Sequence, residues 1–223
     1  MKITEIEDPD LLNRLGHSDI DFVPQAPRTQ GVLHLSDIYK RIMIRRDPVR
    51  FDPSKPMDLL RVEIGLLFES VLERALAAKF STVRPGELVS AEGIYMTPDG
   101  ANPMFETGAG EEYKATYMSC GKGIKETVLA RGVWTDRPLK KFEHWFLQMM
   151  GLAKHLFVNL FLLRVLFING DYQWHKRINP LTGKEESYPT GPLLKSYRCE
   201  FTDDEIDENW DLLLRTAREE GLL

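Results

Sequence analysis

Apolar residues recur at helical spacing along Met57–Phe80, where Ile64, Leu67, Phe68, Val71, Leu72 and Ala75 fall on one side of a 3.6-residue repeat. Pro53 and Pro56 precede this helix. A shorter one is expected from a Ser36 cap to about Arg46, where Asp47-Pro48 stops it. The period then shortens. Leu88 to Thr97 reads as a strand, Pro98-Asp99-Gly100 as a turn, and Glu111 to Met118 as a second strand. Pro138 opens a long helix reaching about Asn159, and Arg164 to Ile168 follows as a buried strand closed by Asn169-Gly170. Asn179–Pro192 reads as a loop and Lys195–Phe201 as an edge strand. Thr202-Asp203-Asp204-Glu205 has the capping-box pattern and starts a final helix with Ile206, Trp210, Leu213 and Leu214 inward. Residues 1–34, punctuated by Pro24, Pro27 and Gly31, read as an irregular N-terminal arm, and residues 35–223 as one domain. The order predicts an α/β fold: a central mixed β-sheet of about four to five strands flanked by helices on both faces.

Composition narrows the class. A chain of 223 residues that is 43% hydrophobic and 10% aromatic can bury a substantial core. Its 29 Lys and Arg against 34 Asp and Glu give a net charge of −5, so any contact with nucleic acid must be local or metal-assisted. Two cysteines, Cys120 and Cys199, cannot supply an iron–sulfur cluster or an all-cysteine zinc site. The Met1–Glu5 start has no apolar run typical of a secretion signal, so a reducing cytoplasm is the expected location. Trp145–Ile168 is apolar enough to mimic a membrane span but contains Gln148, Lys154, His155, Asn159 and Arg164. Each charge at mid-bilayer would cost roughly 2.5 kcal/mol or more, so no membrane is expected.

The chemistry gathers at Asp99 and at Glu112-Tyr113-Lys114. Strand side chains alternate, so Glu112 and Lys114 share a face with Tyr113 opposite, and Asp99 reaches that face if the two strands pair. Two carboxylates and an ammonium are costly to bury unless they pair or bind a cation. Mg2+ suits such oxygen donors, and a neighbouring lysine can act on an attacking water or offset phosphoryl charge.

Pro98-Asp99-Gly100, a glycine-containing loop and Gly110-Glu111-Glu112-Tyr113-Lys114 together resemble the PD-(D/E)XK nuclease motif, in particular that of lambda-type phage exonucleases. Gly65-Leu66-Leu67-Phe68-Glu69 resembles the family's G-x-x-[FY]-E helix, and Gln148 the glutamine that follows the lysine. The matched order runs from about Gly65 to Leu152, and the first sixty residues carry no match. The resemblance implies a restriction-endonuclease-like core and a metal-dependent hydrolase of DNA phosphodiesters, acting as an exonuclease on linear duplex in phage-type recombination. It implies that Asp99, Glu112 and the Tyr113 carbonyl ligate Mg2+ or Mn2+, and that Glu69 binds a second metal or a metal-bound water. Lys114 would act on the nucleophilic water and Gln148 would orient Lys114 or the phosphate. Glu73 is the alternative to Glu69 if the helix register is off by one turn. DNA is the implied partner, with a homo-oligomer or a single-strand-annealing recombination protein as companions, in a bacterial or phage-infected cytoplasm. The CRISPR-associated and helicase-linked relatives often carry a four-cysteine cluster, which two cysteines do not supply.

Plainer readings stand beside these. Taken alone, Glu112–Lys114 is better read as a solvated ion pair, and the company of Glu69 and Gln148 reverses that. Arg41, Arg45 and Arg46, within a basic run from Lys40 to Arg50, could hold backbone phosphate or form a solvated helix face. Lys122 and Lys125 could touch DNA, although Gly121-Lys122-Gly123 lacks the phosphate-loop pattern. His144 and His155, eleven apart, lack zinc-helix spacing and read as packing or surface residues. An endonuclease on the same fold and a catalytically idle α/β protein-binding module are the two alternative functions.

Overall fold

The computed structural model describes residues 1–6, 29–52, 54, 59–80, 82–83, 85–103, 108–117, 120, 142–171, 174–189 and 191–223. The elements are β1 (Lys2–Ile6), α1 (Leu35–Arg46), α2 (Leu59–Phe80), β2 (Leu88–Val89), β3 (Tyr95–Met96), β4 (Gly100–Asn102) and β5 (Ala109–Thr116). They continue with α3 (Glu143–Leu156), β6 (Leu160–Phe167), β7 (Trp174–Ile178), β8 (Glu185–Pro189), β9 (Leu193–Glu200) and α4 (Asp203–Glu219). The fold is α/β. A mixed five-stranded sheet has the order β1-β9-β6-β5-β4, with β5 and β6 parallel and the other neighbours antiparallel.

Alternation along β5 and β6 divides the core. On one face Phe161, Leu163, Val165 and Phe167 meet α1, α3 and α4 through Ile38, Phe146, Met149 and Leu213, all fully buried. On the other face Tyr113 packs beneath Phe68, Leu72 and Leu76 of α2. Each large side chain buried this way contributes about 1.5–3 kcal/mol. The inward stripe of α2 is thus Phe68, Leu72, Ala75 and Leu76, whereas Leu67, expected inside, is 45% exposed. Among the described residues no helix is long and apolar enough to cross a membrane.

Caps fix the helices that carry the sheet. Thr202 accepts the Glu205 N–H at 3.2 Å and Glu205 accepts the Thr202 N–H at 2.9 Å, completing the expected capping box. For α1 the cap is His34 rather than Ser36, and Asp37 accepts the His34 N–H at 3.3 Å.

Three expectations are corrected. Leu88–Thr97 is two short strands, β2 and β3, folded back on each other through Gly93 at φ 79°. Lys195–Phe201 is not an edge: β9 lies between β6 and β1, and the edge is Lys2–Ile6 from the supposed irregular arm. Asn179–Pro192 is not all loop, because Glu185–Pro189 pairs with Trp174–Ile178 as a hairpin. Most of the arm and the expected helix start at Pro138 lie outside the described residues.

Candidate active site

Strand β5 places Glu112 and Lys114 on the face covered by α1 and α3, with Tyr113 on the other, as alternation requires. Asp99 sits just before β4, the antiparallel neighbour of β5. Its Oδ2 accepts the backbone N–H of Tyr113 at 2.8 Å, which ties the carboxylate to the middle of β5. Lys114 Nζ donates to Glu112 Oε1. Glu112 is fully buried, and its Oε2 has no hydrogen-bond partner.

The electrostatics follow from this packing. Burial first, and then the charge of Asp99, push the Glu112 carboxyl up to about 8, although Lys114 opposes them. Burial would lower the Lys114 ammonium, but the charges of Glu112 and Asp99 outweigh it and hold the group above its ordinary value. Both shifts have one meaning. With Glu69 adding to each, carboxylates outnumber the ammonium, and the cluster holds its protons tightly. Any cation entering would relieve the same surplus charge.

The sequence-predicted residues converge in part. Glu69, half-buried on α2, is felt electrostatically at both Glu112 and Lys114, whereas Glu73 is felt at Tyr113 on the opposite face. Gln148 lines a cavity of about 30 Å³ with His34, Ser36, Tyr95 and Thr97, and no hydrogen bond joins it to Lys114. Among the described residues no group of three or more His, Cys, Asp and Glu side chains is arranged to hold a metal ion. Lys114 occupies Glu112 Oε1, while the unpartnered Oε2 beside Asp99 leaves hard oxygen donors of the kind a divalent cation takes.

The basic run on α1 is used unevenly. Arg45 forms ion pairs with Glu219 at 2.6 Å, the last residue of α4, and with Glu220 at 2.5 Å, its C-cap. Arg46 is buried and Arg41 exposed. Arg45 and Arg46 line a cavity of about 320 Å³ with Arg215 and Glu219. Lys122 and Lys125 lie outside the described residues.

Two further residues stand near the site electrostatically: Tyr39, which the sequence does not single out, and His144, which reads there as a packing or surface residue. Glu112 is felt at the buried Tyr39, whose hydroxyl donates to the Leu147 carbonyl. Lys114 is felt at His144. The only sequence signal for the histidine is its place four residues before Gln148, on one helix face.

Beneath the site, on the Tyr113 face, Glu111 and Arg164 form a buried ion pair at 3.2 Å, and Arg164 also donates to Ser196 at 2.9 Å. This pair crosses β5, β6 and β9 and pins their register.

No protein-family model matches the chain, and no curated protein does. Among solved structures it is similar to one described as the crystal structure of SSO0001, at 12% identity and a TM-score of 0.45, covering 94% of this chain and 82% of the other.

Proposed function

We propose that this protein is a metal-dependent nuclease of PD-(D/E)XK type that hydrolyses DNA phosphodiester bonds, acting as an exonuclease on linear duplex. The observation that carries the reading is Glu112: a fully buried carboxylate with Lys114 on one oxygen and nothing on the other, beside Asp99. A merely structural ion pair gains little from a second acid alongside it.

Asp99, Glu112 and the Tyr113 carbonyl would hold Mg2+ or Mn2+, with Glu69 completing the oxygen set from α2. The bound ion would acidify a water and neutralise phosphoryl charge. Lys114 keeps its proton beside the carboxylates, so its role is to orient the attacking water and screen the phosphate rather than to serve as a free base. Gln148, in its small cavity near Thr97, would position the phosphate or the lysine. Arg41 is the exposed candidate for backbone contact, whereas Arg45 must first give up two carboxylates. The reading goes with a cytoplasmic enzyme acting alone, as a homo-oligomer or with a recombination partner.

The test uses end-labelled linear duplex and closed circular plasmid, each with Mg2+, with EDTA, and with Lys114→Ala. Loss of the linear substrate that needs both Mg2+ and Lys114 supports the reading. Plasmid nicking would move it to an endonuclease, and cleavage unaffected by the substitution would sink the proposed site.

A further inference from the structure

Helices α1 and α4 pack together, and a cavity of about 320 Å³ opens between them. Its lining repeats at helical spacing, with Ile42, Arg45 and Arg46 on α1 and Arg215, Thr216 and Glu219 on α4. Each helix therefore turns one face to the cavity. The walls carry three guanidiniums against one carboxylate, and the buried Ile42 and Leu212 give them an apolar side.

Helix ends account for only part of this charge. Cations in a last turn answer the partial negative charge of a helix C-terminus, and Arg45 and Arg46 have that place on α1. On α4 the place belongs to Arg218. Arg215 lies about one turn earlier, and it faces the cavity that Arg45 and Arg46 already line. Glu219 does little to balance it there. Arg45 donates from Nη1 to Glu219 at 2.6 Å and from Nη2 to Glu220 at 2.5 Å, so both carboxylates lie on the same arginine. A guanidinium keeps its proton, and its planar fork matches the oxygens of a phosphate two at a time.

We propose that the cleft between α1 and α4 binds a small organic phosphate of nucleotide size. Arg215 grips the phosphate with the buried charge of Arg46 behind it, and the Thr216 hydroxyl adds a donor. Ile42 and Leu212 receive the less polar body, since the cavity is at the small end of the range for organic ligands and far larger than one phosphate needs. Glu219 is the ligand's competitor: it occupies Arg45 and repels an incoming anion. None of these residues is a proposed metal ligand, and the inference stands apart from the nuclease reading.

The test is calorimetric titration of the full chain with deoxyadenosine monophosphate in EDTA, so that no divalent cation takes part. Inorganic phosphate, deoxyadenosine and a single-stranded oligonucleotide with a hydroxyl at its start are titrated in parallel. The nucleotide is expected to bind, phosphate to bind more weakly, and the nucleoside not to bind. Arg215→Ala, at an exposed position, is expected to weaken nucleotide binding about tenfold. Glu219→Gln should tighten it severalfold, an outcome that damage to the fold would not produce. No binding of the nucleotide, or binding that neither substitution changes, overturns the proposal. So does a nucleotide that binds no tighter than phosphate. An oligonucleotide that matches the nucleotide in affinity and in its need for Arg215 also overturns it, because the cleft would then be a contact for the DNA backbone.

Discussion

Asp99 Oδ2 accepts the backbone N–H of Tyr113 at 2.8 Å, fastening the residue before β4 to the centre of β5. The bond fixes the acid beside Glu112 without using a second side chain, and it makes Asp99 structural as well as electrostatic. Asp99→Ala would leave a part-buried N–H without its acceptor, at a cost of about 1–3 kcal/mol. Asp99→Asn keeps an acceptor and is expected to cost less, while removing the charge that raises Glu112. Urea denaturation of the two variants checks the order.

Stability should fall as pH rises through the titration of Glu112. Its carboxyl is raised from an ordinary 4.5 to about 8, burial first and Asp99 next. Between those values the folded chain holds a proton that the unfolded chain has lost, so raising the pH favours unfolding. Melting temperature of the wild type is expected to decline across that window relative to Glu112→Gln. His144, lowered by burial to about 3 from 6.5, contributes the opposite slope below 6.5 in both proteins, so the difference between them reads Glu112. Glu111, which burial also raises against the opposing charge of Arg164, adds a slope of the same sign as that of Glu112 to both proteins. Identical profiles for wild type and Glu112→Gln would show that Glu112 is ionised throughout.

Removing one partner of the buried Glu111–Arg164 pair should be expensive. Arg164→Met leaves the fully buried Glu111 uncompensated, a loss of about 3–5 kcal/mol. Glu111→Leu together with Arg164→Met should recover most of it, because the desolvation cost disappears with the charges. Chemical denaturation of the single and double variants reads this directly.

Gly110 is small because Phe161 of the neighbouring strand lies across it. A Cβ there would come within 2.3 Å of the ring, far inside contact distance. Gly110→Ala is expected to destabilise by about 1–3 kcal/mol, and Phe161→Leu in the same chain should offset part of that loss. A double-mutant cycle tests the coupling. The glycine before Glu111-Glu112 thus has a packing reason of its own, independent of any motif.

Local signals were legible where the responsible contacts are local. Thr202 and Glu205 cap one another three residues apart, and the opposite faces of Glu112 and Tyr113 follow from alternation alone. What escaped depends on distant partners. Lys2–Ile6 becomes a strand because it pairs with Ser196–Glu200, nearly two hundred residues away, and the same pairing removes β9 from the edge. Glu185–Pro189 carries loop-like composition, yet Asn179 caps its turn by accepting the Leu181 N–H at 2.9 Å and bonding Glu186 at 2.9 Å. In the site, acid and lysine were readable from spacing. The occupancy of Arg45 by Glu219 and Glu220 was not, since those carboxylates lie some 175 residues further along.

The most direct test of the central claim is calorimetric titration of Mg2+ into the protein at pH 7, in buffers of different ionisation enthalpy. Glu112, raised to about 8, is mostly protonated there and must lose its proton to become a ligand. The account predicts Mg2+ binding with release of close to one proton per ion in the wild type. Binding should weaken and proton release disappear in Glu112→Gln. No Mg2+ binding, or equal binding by both proteins, would contradict a cation site at Glu112 and Asp99.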